Sequence, residues 1–214
     1  LMNIGDSEVP LCLPDTLTLE DKWILSRFND LTRAVTENLE KYELGIAIQK
    51  LYDFTWDSFC DWYIELSKSR LQGEGAGAAR QVLTFVMTGI LRLLHPFMPF
   101  VTEEIWQSLP HEGEALMIAA WPQYDASLSF PEEEREMERV MEAIRGIRNR
   151  RAEMNVPPSR KAQVYVETAF ADAFVHGAPF IQRLASASEV KVGERFDLPG
   201  AVSIVTPDAT VKIP

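Results

Sequence analysis

The chain has 214 residues, 46% apolar and 25% charged, with 21 basic and 32 acidic side chains for a net charge of −11. That length and balance suit a soluble globular protein of one large domain or two small ones, and the acid excess counts against a nucleic-acid binder as a whole. No apolar run approaches the roughly 20 residues that span a bilayer, the N-terminus lacks a signal pattern, and two cysteines and three histidines make neither a disulfide framework nor a metal site, so a cytoplasmic setting is expected.

Residues 1–17 have no period and read as a connecting segment whose abrupt start suggests a cut from a longer chain. Thr18 with Asp21 resembles a capping box, and Ile24, Phe28, Leu31, Val35 and Leu39 mark an amphipathic helix to about Lys41. Trp23 lies off that stripe, one turn before Arg27 and beside Lys22, which suggests an exposed patch for stacking a base and holding a phosphate; the competing reading packs Trp23 against another element. A second helix from the break at Tyr42–Gly45 to about Arg70 is apolar on nearly every side and is expected at the centre of a bundle. Cys60 within it sits among Asp57, Asp61 and Glu65, which would raise a thiol pKa, so a nucleophilic role is not supported.

LQGEGAG at 71–77 is a loop by composition, and Ala78–Leu94 is a third helix. Pro96 and Pro99 then force a stop near His95, and a helix resumes with Glu103 and Glu104 in its first turn. Phe97, Met98, Phe100 and Val101 are too many large apolar groups for an exposed turn, so this elbow is expected in the core. Residues 110–129 form a long irregular crossing pinned by LMIAAWP, with His111 exposed.

Ser129 and Pro131 fit the N-cap and N1 of a long helix ended by Asn155–Pro158. Its stripe of Met137, Val140, Met141 and Ile144 continues at the same spacing into Arg148 and Arg151. The charge is segregated: Glu132–Glu142 holds six Glu and two Arg, whereas Arg145–Lys161 holds five Arg and one Lys against Glu153. Arginine suits both a helix C-terminus and bidentate phosphate binding, and the two readings weigh about evenly. Beyond it, strands are expected at 163–167, 189–192, 201–205 and 210–213, with a helix over 170–184 split by Gly177 and Pro179.

Four stretches carry a resemblance: LRLLHPFMPFVTEEIWQSLP at 91–110, LEDKWILSRFN at 19–29, YDFTWDSFCDWYIELSKSRL at 52–71 and IRGIRNRRAEMNVPP at 144–158. Together they resemble, in order and over nearly the whole chain, the anticodon-binding region of class I aminoacyl-tRNA synthetases, and within these the valyl-tRNA synthetases. The resemblance implies a mainly α fold: a helical bundle over 18–158, then a small α/β appendage over 159–214 leading toward a coiled-coil arm that is absent here. It implies a non-catalytic module of an aminoacyl-tRNA ligase, reading the anticodon stem-loop of valine tRNA as a monomer on the same polypeptide as an upstream catalytic domain. ATP with Mg²⁺ serves that upstream domain; no Gly-rich phosphate loop, His-x-Gly-His or Lys-Met-Ser-Lys-Ser-like motif occurs in this sequence. The expected RNA contacts are Lys22, Trp23, Arg27, Arg145, Arg148 and Arg151. The same region of an isoleucyl or leucyl synthetase, or a helical protein-interaction domain without RNA, are the competing readings.

Overall fold

The computed structural model describes residues 9–214; the first eight residues of the expected connecting segment lie outside that range. Seven α-helices and a four-stranded sheet are arranged in two compact units, Leu1–Pro131 and Glu132–Pro214. The fold is mainly α, as expected. Compactness, however, divides the chain at Pro131, whereas the sequence suggested a boundary near Pro158.

In the first unit, α1 (Leu19–Glu40) packs on α2 (Leu44–Asp53) and on α4 (Ala76–Leu94), α3 (Ile64–Leu71) packs on α4, and α4 leads to α5 (Pro99–Gln107). A π-helical stretch, Phe54–Tyr63, joins α2 to α3, so one helical run extends from Leu44 to Leu71 with locally wider turns. Phe54, Ser58, Phe59, Trp62 and Tyr63 of that stretch are buried. The rest of the run is less central than its composition suggests: Ile46, Tyr52 and Trp56 are exposed, because neighbouring helices cover only part of its circumference. The core gathers around Phe28, whose ring lies 5.9 Å from that of Phe54 and 6.2 Å from that of Phe85, with its edge over Gly89.

A Schellman turn ends α1: Tyr42 takes φ 59°, its N–H donates to the Leu39 carbonyl and that of Glu43 to the Asn38 carbonyl. Among the described residues α4 alone is long and apolar enough to cross a membrane by length and composition, but Arg80, Gln81 and Arg92 interrupt it, and eight of its apolar or small residues, from Ala79 to Leu93, are buried in this unit. The elbow is corrected too. Trp106 and Thr102 are buried, but Met98 and Val101 are 48% and 45% exposed and Phe100 is 91% exposed. What joins α4 to α5 is a buried cluster of Leu91, Trp106, Leu109 and Leu116, into which Val9 also fits, together with a 2.8 Å hydrogen bond between His95 Nδ1 and the Thr102 hydroxyl.

The crossing over 110–129 is held by polar as well as apolar contacts. Asn29 exchanges two hydrogen bonds with the backbone of Asp125, at 2.7 and 2.8 Å, Trp121 Nε1 donates to the Thr36 hydroxyl, and Phe130 N donates to the Ser26 hydroxyl. Contrary to expectation His111 is half-buried, its ring 3.8 Å from that of Trp106.

The second unit begins with α6 (Pro131–Glu153), followed by β1 (Ala162–Thr168), α7 (Ala171–Leu184), β2 (Ala187–Gly193), β3 (Val202–Val205) and β4 (Ala209–Ile213). The sheet order is β2-β1-β4-β3, with β1 and β2 parallel and the other pairs antiparallel. Gly177 and Pro179 do not split α7, which is one helix. Its packing explains the glycine: a Cβ there would sit 2.3 Å from Val140 Cγ2 on α6, so the bare backbone lets the two helices touch.

Candidate nucleic-acid interface

The six residues expected to meet RNA fall on two helices in different compact units, Lys22, Trp23 and Arg27 on α1 and Arg145, Arg148 and Arg151 on α6. Trp23 is not exposed as expected: it keeps 2% of its surface and its indole N–H has no partner, so it offers no face to a base in this conformation. The cause is a second buried face on α1. Glu20 and Asp21 are buried as well, a burial that the apolar stripe alone does not foretell.

Those two carboxylates meet Arg70 at the end of α3. One terminal nitrogen of Arg70 donates to Asp21 at 2.8 Å, to Glu20 at 2.9 Å and to the Thr18 hydroxyl at 2.8 Å, while the Tyr63 hydroxyl donates to the same Asp21 oxygen at 2.7 Å. The other Asp21 oxygen accepts from Thr18 N at 3.2 Å, so both carboxylate oxygens are engaged. Burial opposes the charge on Arg70, but Asp21 and then Glu20 outweigh it and push its pKa further up. Burial, then Asp21, pushes the Tyr63 phenol well up. This network anchors the start of α1 and leaves Lys22, its ammonium 5.6 Å from the Phe130 ring, and exposed Arg27 as the accessible cations of that patch.

On α6, Arg145 and Arg148 are exposed and Arg151 is half-buried. Arg148 Nε donates to the Leu184 carbonyl at the end of α7, at 2.7 Å, and Arg151 donates to the carbonyls of Pro157, at 3.0 Å, and Arg160. Both therefore stabilise turns, and Arg151 uses one terminal nitrogen for both of its bonds.

The helix ends in a second Schellman turn: Asn155 at φ 51°, Asn155 N to the Ala152 carbonyl and Val156 N to the Arg151 carbonyl. This reversal brings Arg160 and Lys161 back beside Arg150 and Arg151. The four cations line a cleft of about 350 Å³ with Met154, Val156 and Gln163 among its walls. No Asp or Glu side chain lines it. Arg150 does pair with Glu153 at 2.9 Å, whereas no ion pair involves Arg160 or Lys161 among the described residues. The stripe spacing missed Arg150, Arg160 and Lys161 because it stops where the helix stops. The basic run from Arg145 to Lys161 was the available signal.

Other candidate chemistry recedes. Cys60 is half-buried and its thiol is pushed up, by burial first and Asp61 second, as the neighbouring carboxylates suggested. Among the described residues no three side chains form a metal-binding group. An accessible aromatic pair, Tyr52 and Trp56 with ring centres 6.3 Å apart, lies beside Asp53 and Asp57, whose charge repels a phosphate backbone.

Comparison with known proteins matches residues 21–166 to the family described as the anticodon-binding domain of tRNA ligase. The chain is 54% identical to a valine–tRNA ligase of Clostridium perfringens over 81% of its own length and 20% of the relative's. Identity is 47% with the Carboxydothermus hydrogenoformans enzyme of that name and 40% with the Bacillus anthracis one, each over the whole chain and 25% of the relative. The chain thus spans a fifth to a quarter of the relatives it matches. With two thirds of its residues inside the family match, it belongs to the anticodon-binding domains of tRNA ligases and is similar, within them, to the C-terminal part of valine–tRNA ligases.

Proposed function

We propose that this chain is the anticodon-reading module of a valine–tRNA ligase. It holds the anticodon stem-loop of valine tRNA while the preceding part of the polypeptide performs the ATP- and Mg²⁺-dependent charging, in the cytoplasm. The relatives named above, all valine enzymes, support this tRNA over those of isoleucine or leucine. The observation that carries an RNA reading is the cleft at the end of α6: four cations and no Asp or Glu side chain, within a chain of net charge −11.

Phosphates bind Arg150, Arg151, Arg160 and Lys161, with Arg145 and Arg148 extending the contact along α6, and Lys22 and Arg27 forming a separate basic patch on α1. Trp23 leaves the set, since its ring is covered. The functional module is the helical region 18–158, and 159–214 serves it by folding Arg160 and Lys161 against the helix end. Phosphate contacts release counterions, so each one lost reduces the salt slope of binding by roughly 0.9. In the intact enzyme, Arg160→Ala with Lys161→Ala is expected to flatten the dependence of log affinity for valine tRNA on log salt by about 1 to 2. An unchanged slope removes the cleft from the interface.

A further inference from the structure

The sequence holds seven lysines, and the structure gives them unequal surroundings. Lys68, Lys191 and Lys212 each pair with a carboxylate, those of Glu65, Glu189 and Glu167. Lys50 donates to the side-chain carbonyl of Asn38 at 2.8 Å, and Lys22 lies 5.6 Å from the Phe130 ring. Lys41 and Lys161 are exposed, and no hydrogen bond or ion pair engages either ammonium among the described residues. These two differ in their company. Lys41 has Glu40 and Glu43 within two positions along the chain, whereas Lys161 lines the cleft at the end of α6 with Arg150, Arg151 and Arg160 and no Asp or Glu side chain.

Guanidinium and amine divide the labour in that cleft. The planar fork of arginine takes two oxygens of a phosphate and stays charged, whereas a lysine amine that has given up its proton is a nucleophile. A small anion that carries both a phosphate and an activated acyl group meets both functions at once, in a cleft of about 350 Å³ that is roomy enough for a small ligand. Holding such a donor on the arginines raises the local concentration of its acyl carbon at the amine, an advantage that an isolated surface lysine lacks.

We propose that Lys161 is an acyl-acceptor site served by acyl phosphates, with Arg150, Arg151 and Arg160 holding the phosphate of the donor. The deprotonated amine of Lys161 attacks the acyl carbon and a C–N bond forms. The bond from that carbon to the bridging oxygen breaks, its electron pair leaves on inorganic phosphate, and the proton of the amine passes to solvent. The product is a neutral amide, so acylation cancels one of the four positive charges of the cleft. The acceptor site stands on the cleft itself; its consequence for tRNA, a salt slope lower by roughly 0.9, rests on the RNA reading proposed above.

The test treats the intact enzyme, free of tRNA, with acetyl phosphate and reads the initial rate of acetylation at each of these lysines by peptide mass spectrometry, with Lys41 as the exposed reference. A parallel series uses acetic anhydride, a donor without a phosphate. With acetyl phosphate, Lys161 is expected to react at least about tenfold faster than Lys41. That advantage is expected to shrink to within about threefold with acetic anhydride, and equally in the double variant Arg150→Gln with Arg160→Gln. A Lys161 rate no greater than that of Lys41 overturns the proposal. So does an equal advantage with both donors, or its persistence in the double variant, because each marks an amine that is merely accessible. A salt titration of valine tRNA binding to the acetylated enzyme, with Lys161→Arg as the form that cannot take the label there, separates the two readings. Selective acetylation with an unchanged slope removes the cleft from RNA contact alone; a slope that falls in Arg160→Ala with Lys161→Ala, without selective acetylation of Lys161, sinks the acyl-acceptor site alone.

Discussion

The network around Arg70 in the first unit and the cleft at the end of α6 in the second both bring cations to a helix C-terminus, where the dipole favours them, but they differ in what meets the charge. Arg70 is 18% exposed, with Asp21 and Glu20 sealed beneath it, and its nitrogen finds three oxygens within 2.9 Å. Arg160 and Lys161 stand in water, without an Asp or Glu side chain in their cleft. A buried cation with its anions is committed to the fold, since taking either partner away strands the other in a poorly solvated site. An exposed cation without an anion costs the fold little and stays available to a ligand. Charge count alone cannot separate the two; desolvation does.

The sharpest way to break that contrast is Arg70→Ala, which leaves the Asp21 carboxylate buried and unpaired and is expected to cost about 3–5 kcal/mol in urea unfolding. A loss below about 1 kcal/mol would place Arg70 with the ordinary surface arginines. Next in size, Gly89→Ala puts a Cβ 2.2 Å from Phe28 Cζ, where the ring is hemmed in by Phe54 and Phe85. Overpacking of that kind is expected to cost about 1–3 kcal/mol, and Gly177→Ala against Val140 tests the same limit in the second unit.

A smaller effect belongs to Glu167, whose carboxylate accepts from Lys212 Nζ at 2.7 Å and from Phe196 N at 2.6 Å, contacts that hold its pKa below the ordinary 4.5. A depressed carboxylate contributes stability above its unfolded pKa and loses it as pH falls through the folded value. The difference between the natural chain and Glu167→Gln is therefore expected to be largest above about pH 5 and to shrink below pH 4.5, read from thermal melts across that range. The smallest stability change is expected from Arg160→Ala with Lys161→Ala, within about 0.5 kcal/mol, even as the salt slope of tRNA binding falls. A marked loss of stability there would move the cleft from the recruiting class to the structural one.

Much of this was legible from local pattern. The caps and 3.6-residue periods placed α1, α4 and α6, the prolines placed the elbow, and the charge reversal along α6 pointed to its basic end. Trp23 was misread because a helical wheel assumes one buried face, and Asp21 and Glu20 look like solvent residues until Arg70, some 50 positions away, is brought to them. The elbow was misread in the opposite sense. Its apolar content is real, but the second unit and the first eight residues aside, no described element of the first unit closes over Phe100. Pro179 suggested a break in α7; the contact of Gly177 with Val140 shows the packing that goes with an unbroken helix.

The sequence by itself determined where α1, α4 and α6 run, the family and the place where positive charge accumulates, because each is written in residues within a turn or two of one another or in a motif read along the chain. Tertiary structure decided which side chains lose their water. Trp23 and Asp21 did and Phe100 did not, and Arg160 and Lys161 joined Arg150 and Arg151 only because the chain reverses at Asn155. Burial depends on what distant elements cover, and no local period encodes that.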